Sequence, residues 1–143
     1  MKPSPQDIAN HMMENDEASR HFGIEIESIN EGGCTMTMTV QKWMVNGHGT
    51  CHGGVIFTLA DSAFAFACNA HNNRVVAQMA SITFLSPAKK GDQLTAKAQE
   101  VTLAGRSGIY DISVTDEAGT RIAEFRGHSR QISGTHLPEE TNA

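Results

Sequence analysis

The stretch from residue 55 to residue 68, Val-Ile-Phe-Thr-Leu-Ala-Asp-Ser-Ala-Phe-Ala-Phe-Ala-Cys, constrains this chain more than any other part of it. It lacks proline and glycine, is rich in Ala, and is too long for a typical strand, which predicts a helix. Apolar positions run nearly all the way round that helix, and helices of this kind are buried. The stretch is too short to span a bilayer and carries Asp61 near its middle, so it does not read as a membrane segment. The rest of the chain must wrap around it.

The flanking sequence offers the wrapping. Ser4-Pro5-Gln6-Asp7 reads as a helix start, with Ser4 as cap, Pro5 in the first position and Asp7 near the positive end. Ile8, Met12 and Met13 then form a short amphipathic face, and Gly23 closes this segment. Residues 24–28 read as a strand, Glu31-Gly32-Gly33 as a turn, and residues 35–40 as a strand with one buried face. Past Trp43 comes a polar, glycine-rich loop, Asn46-Gly47-His48-Gly49-Thr50-Cys51. After the helix, residues 75–85, 93–103, 106–115 and 120–132 are strand-like and separated by short turns, which favours an antiparallel meander. The expected architecture is α+β in one domain: a helical segment at 1–23, a curved antiparallel sheet around a long central helix at 24–132, and a flexible tail at 133–143.

Composition narrows the function classes. The 143 residues, 39% hydrophobic and 19% charged, suit one domain with a real core. A formal net charge of −5 leaves no basic stripe for a nucleic-acid backbone, so no nucleic-acid partner and no membrane partner is expected. Cys34, Cys51 and Cys68 are odd in number and without CxxC spacing, and no apolar signal core follows Met1. A reducing, cytoplasmic setting is expected.

Asp61 is the only formally charged side chain between Gly54 and Asn73. A carboxylate in such a segment is costly to ionise unless paired, and buried lone carboxylates are rare without a function. Burial would raise its pKa and aimed donors would lower it. Alternatively, Asp61 faces solvent or caps a break in the helix. His52-Gly53-Gly54 supplies the second signal. Two glycines admit a ligand close to the backbone, and the free N–H groups of a helix start, with the dipole behind them, can hold a developing oxyanion. A plain glycine-rich turn explains the same residues.

The two signals conflict within one chain. Eight residues of helix separate Gly53 from Asp61, about 12 Å, too far for both to touch one carbonyl carbon. A site that takes Gly53 from one subunit and Asp61 from a two-fold neighbour resolves this.

The pattern Asn46-x5-His52-Gly53-Gly54-x6-Asp61 resembles the active-site segment of hotdog-fold acyl-CoA thioesterases. The likeness extends through Phe84-Leu85-Ser86-Pro87-Ala88-Lys89 to Phe125-Arg126-Gly127, covers most of the chain, and is greatest to the thioesterases of bacterial phenylacetate degradation. The resemblance implies Asp61 as general base or nucleophile. It gives Gly53, helped by Gly54, as the N–H donor, His52 as the residue that orients the loop, and Asn46 as the one that positions the carbonyl or the water. It also implies a homo-oligomer, a dimer of dimers, with sites between subunits. The acyl groups it implies are phenylacetyl or hydroxyphenylacetyl, and no cofactor is needed because coenzyme A belongs to the substrate.

Coenzyme A is anionic, and Lys89, Lys90, Arg106, Ser107 and Gly108 lie in or beside turns where they could meet its phosphates, as could Arg126, His128 and Arg130 on the last strand. Ordinary solvated charge explains any one of them equally well. Phe57, Phe64 and Phe66 line an aromatic acyl pocket or pack the core. His48, Cys51 and His52 lack a fourth ligand, so no metal is expected. Two other functions fit the same fold, a hydroxyacyl-thioester dehydratase and a non-catalytic acyl-CoA sensor.

Overall fold

His52 sits in extended conformation (φ −60°, ψ 135°) and caps the buried helix, α3, which runs Gly53–Asn69. It therefore begins at the two glycines, ahead of the apolar run. The computed structural model describes residues 1–139. Ahead of α3 lie α1 (Pro5–Asn15), α2 (Glu17–His21), β1 (Glu25–Asn30), β2 (Gly33–Thr39) and a 3-10 turn, Lys42–Met44; after it come β3 (Asn73–Phe84), β4 (Gln93–Ala104), β5 (Ser107–Thr115) and β6 (Arg121–Thr135). Ser4 accepts the Asp7 N–H and caps α1, with Pro5 in the first turn.

All six strands join one antiparallel sheet in the order β1-β2-β4-β5-β6-β3. Its inner face follows strict alternation: Cys34, Met36 and Met38 on β2, Leu94, Ala96 and Ala98 on β4, and Tyr110, Ile112 and Val114 on β5 are all buried against α3. Helix and sheet are in tight contact at Gly127 on β6. A Cβ there would lie 2.7 Å from the Phe64 ring, so the largest side chain at this contact is seated on the residue that has none.

Two expectations are corrected. The last four strands do not form a continuous meander: β4, β5 and β6 do, but β3 pairs with β6 at the far edge, and the loop 85–92 crosses an end of the sheet to reach β4. That loop is longer than the usual hairpin connection and is pinned along its length. Leu85 N–H donates to the Ile122 carbonyl (2.8 Å), Cys51 N–H to Ala88 (2.8 Å), and Gly91 N–H to Val40 (2.8 Å). Nor is the chain loose from residue 133. Strand β6 continues through Thr135, and Asn72, fully buried with φ +78°, clasps Leu137 by donating to its carbonyl (2.8 Å) and accepting its N–H (3.0 Å). The remainder of the expected tail, 140–143, lies outside the described residues. Among the described residues no helix is long and apolar enough to cross a membrane.

Candidate active site

The site is built at the start of α3. Asn46 anchors the preceding loop: its Oδ1 accepts the His48 N–H (2.9 Å), the Thr50 N–H (3.2 Å) and the Thr50 hydroxyl (3.3 Å). The amide oxygen is thereby fully engaged, and the Nδ2 end is left as a donor. The His52 N–H donates to the Met44 carbonyl (2.8 Å), and its ring turns back over the helix, where Nδ1 accepts the Gly54 N–H (2.9 Å). Nδ1 is therefore unprotonated in the neutral ring and Nε2 carries the hydrogen.

An α-helix begins with N–H groups that lack partners inside it. Here Gly54 gives its N–H to His52 Nδ1, while Val55 and Ile56 give theirs to the His52 carbonyl (2.9 and 3.2 Å). The Gly53 N–H alone has no acceptor among the described residues. The expectation that Gly54 helps as a second donor is corrected by this geometry: its hydrogen is already taken.

Gly53 opens onto a pocket of about 400 Å³ lined by Asn46, Thr50, Cys51, Ile56, Phe84 and the 85–87 segment. Phe84 lies across the glycine, so that a Cβ at residue 53 would meet its Cζ at 3.0 Å. A glycine leaves room for the Phe84 ring and for close approach of a ligand to the backbone. Phe84 was not among the expected site residues, although it opens the second segment of the family pattern.

Asp61 lies two turns further along the same unbroken helix, on its one open stripe, with Gly54, Thr58 and Ala65. Among the described residues no hydrogen bond or ion pair reaches its carboxylate. Burial pushes its pKa up, and the nearby negative charge of Asp16 pushes it further the same way. Within one chain, burial and the Asp16 charge act on Asp61 with no donor among the described residues opposing them. Asp61 does not line the Gly53 pocket. One chain thus holds an unclaimed N–H beside a pocket and an unpaired carboxylate, separated along one helix.

The sequence profile described as the thioesterase superfamily matches residues 48–123, more than half of the chain and all of α3. The chain belongs to the thioesterase superfamily. It is 46% identical over 127 residues to the acyl-coenzyme A thioesterase PaaI of Escherichia coli K12, covering 89% of this chain and 91% of that protein. The crystal structure of the E. coli PaaI protein from the phenylacetic acid degradation operon superposes with a TM-score of 0.90 at 44% identity, over 92% of this chain and 95% of that one. A Streptococcus mutans protein solved with acetyl CoA bound superposes at a TM-score of 0.75 and 25% identity, over 78% and 90% of the two chains. The fold is therefore the hotdog fold and the chemistry thioester hydrolysis.

The residues expected to meet the coenzyme A of a thioesterase are scattered within one chain. Lys89 and Lys90 are exposed on the crossing loop, near the start of α3. Arg106 lies at the opposite end of the helix, beside Cys68 and His71. Ser107 is partly buried and accepts from Arg130 Nη1 at 3.4 Å. Gly108 is buried on the inner face, where a Cβ would strike Ser129 Oγ and Leu103. Arg126 is held by Asp111 through two hydrogen bonds of 2.6 and 2.8 Å. Phe64 and Phe66 belong to the core; Phe57 is only partly buried and rests edge-on against Phe125.

Proposed function

We propose that this thioesterase hydrolyses acyl-coenzyme A thioesters, aryl-acetyl ones such as phenylacetyl- or hydroxyphenylacetyl-CoA, to the free acid and coenzyme A. The observation that carries the reading is the pairing of one unclaimed N–H, at Gly53, with one unpaired carboxylate, at Asp61, in a chain of this family. The aryl-acetyl preference draws on the likeness to PaaI and on the accessible aromatic rings of Phe57 and Phe84.

The half-sites complete each other in a dimer. Strand β3 is a free edge, and Val76, Met79 and Phe84 are about half exposed along it. It begins at Asn73, past the end of α3, and finishes at Phe84 beside Gly53. Antiparallel pairing of β3 with its two-fold copy lays each Phe84 end beside the other's Asn73 end. The two α3 helices then run past each other, and Asp61 of the partner subunit approaches the Gly53 pocket. The same operation carries the Arg106 end of the partner subunit towards Lys89 and Lys90. Further assembly into a dimer of dimers follows the family pattern, and three free, buried thiols suit a cytoplasmic location.

In the reaction, the thioester oxygen accepts from the Gly53 N–H and from Asn46 Nδ2, with the dipole of α3 behind them. Asp61 of the partner subunit takes a proton from water as it attacks the carbonyl carbon, or attacks that carbon itself to give an anhydride that water cleaves. Collapse expels the coenzyme A thiolate. His52 holds Gly54 and the loop in place. The dehydratase reading loses support, because the relatives this chain resembles at 46% and 30% identity are acyl-coenzyme A thioesterases.

Thiol release from phenylacetyl, hydroxyphenylacetyl, benzoyl and medium-chain CoA esters, with parent and Asp61→Ala proteins compared, tests this. Turnover of the aryl-acetyl esters that is lost in a folded Asp61→Ala supports the reading. Equal turnover by both proteins contradicts it.

A further inference from the structure

One residue makes the junction between α1 and α2. Asp16 ends α1, its N–H donating to the Met13 carbonyl, and it also caps α2 (φ −96°, ψ 82°). Both its carboxylate oxygens are bound by Ser19: Oδ1 accepts the N–H at 2.9 Å and Oδ2 the hydroxyl at 2.7 Å. Ser19 Oγ lies 2.8 Å from Ser62 Oγ. Since Ser19 gives its hydrogen to Asp16, Ser62 is the donor in that second contact. Ser19 is 2% and Ser62 9% exposed, so this is a buried chain of hydrogen bonds, Ser62 to Ser19 to Asp16. It starts at the residue that follows Asp61 and ends on a carboxylate outside α3.

Charged and titratable groups lie on every element packed against α3, among them Arg74 on β3 and Glu124, Arg126, His128 and Arg130 on β6. The sheet turns Cys34 on β2 and Tyr110 on β5 towards α3, with Glu100 on β4 bonded to the Tyr110 hydroxyl. The α1 and α2 helices carry His11, Glu14, Glu17, Arg20 and His21, β1 carries Glu25 and Glu27, and α3 carries Cys68 two turns on. Burial raises the proton affinity of Asp61, the Asp16 charge raises it further, and the Cys68 thiol, which burial pushes up to about 12, is neutral.

We propose that Asp16 is a positioning residue for Asp61: the α1–α2 junction, tied to α3 through Ser19 and Ser62, fixes a second negative charge beside the reacting carboxylate. Asp61 then keeps its proton affinity high in the folded protein, which makes it a better base towards water. The N-terminal helices thereby belong to the active site without touching substrate. The consequence for rate rests on the role given to Asp61 above; the coupling of the two carboxylates does not.

The test uses the full chain and Asp16→Asn. Asn caps a helix as well as Asp does, and its Nδ2 can donate to Ser19 Oγ while that hydroxyl donates on to Ser62, so the junction stays closed. The Asp61 carboxyl is titrated by carbon-13 NMR, assigned through Asp61→Asn, beside the pH profile of kcat/KM for acyl-CoA hydrolysis. In Asp16→Asn the Asp61 midpoint should fall, and the acid limb of the profile should move to lower pH with it. An Asp61 midpoint unchanged in a folded Asp16→Asn overturns the inference. A midpoint that falls while the acid limb stays put supports the coupling and counts instead against Asp61 as the reacting group. A purely structural role for Asp16 would lower Tm and move neither titration.

Discussion

His52 Nδ1 accepts the N–H of Gly54 at 2.9 Å, and with Val55 and Ile56 bound to the His52 carbonyl this leaves the Gly53 N–H without an acceptor among the described residues. A cap that elsewhere serves only helix stability would, in the proposed mechanism, also select which backbone hydrogen meets the substrate.

Gly53→Pro isolates that hydrogen. Proline suits the first position of a helix, and His52 already has the extended conformation that a residue before proline prefers. Helix content should therefore persist, while loss of the donor, with crowding at Phe84, lowers kcat by about 100-fold or more. Circular dichroism beside thiol-release kinetics checks both parts. His52→Ala should instead cost about 1 kcal/mol of stability as a lost cap and release the Gly54 N–H, read as a lower Tm and a changed kcat/KM.

Asp61 also predicts a trade between function and stability. Its pKa is raised in the folded protein, so the fold binds this proton more tightly than the unfolded chain does. That contribution is fully present below the ordinary Asp range and is lost as pH rises through the raised value. Asp61→Asn should therefore raise Tm at neutral pH, with the difference shrinking as pH falls towards about 4. Thermal melts from about pH 3.5 to about pH 8 follow this directly.

The contact between Gly127 and Phe64 is tested by overfilling it. Gly127→Ala places a methyl against the Phe64 ring and should cost about 1–3 kcal/mol. Adding Phe64→Leu should return part of that loss, since the smaller side chain vacates the space. Denaturant midpoints of the two single variants and the double variant show whether the effects couple.

Asn72 holds the end of β6 through both atoms of its amide, in a left-handed conformation that Asn tolerates better than most residues. Asn72→Gly keeps the backbone free to adopt that φ and removes the two bonds to Leu137. A loss of about 1–3 kcal/mol and faster amide exchange at 136–137 are expected.

The helix, the inward face of β2, the strand segments after the helix, and the separation of Gly53 from Asp61 were legible in the sequence, because each is written as local periodicity or as spacing along one element. The place of β3 was not. Nothing in residues 75–85 distinguishes pairing with β6 from pairing with β4, and the choice is made by where the loop 85–92 is pinned. The roles within His52-Gly53-Gly54 were half legible: the residue types announce a helix start, but only the turn of the His52 ring decides which N–H stays free. Asp16 carried no sequence signal towards Asp61, since residues this far apart meet only through the packing of α2 on α3. The clasp of Leu137 by Asn72 was hidden for the same reason, a polar tail whose anchor lies in the α3–β3 turn.

The central claim is that the two halves of each site come from different subunits, and subunit mixing tests it most directly. Gly53→Pro and Asp61→Ala proteins, each inactive alone, are unfolded together, refolded as a mixture and assayed for thiol release. A mixed dimer holds one site with both lesions and one with neither, so random re-pairing should restore about a quarter of parental activity. If the refolded mixture stays as inactive as its parts while mixed dimers are present, Gly53 and Asp61 serve the same site from the same chain, and the account is wrong.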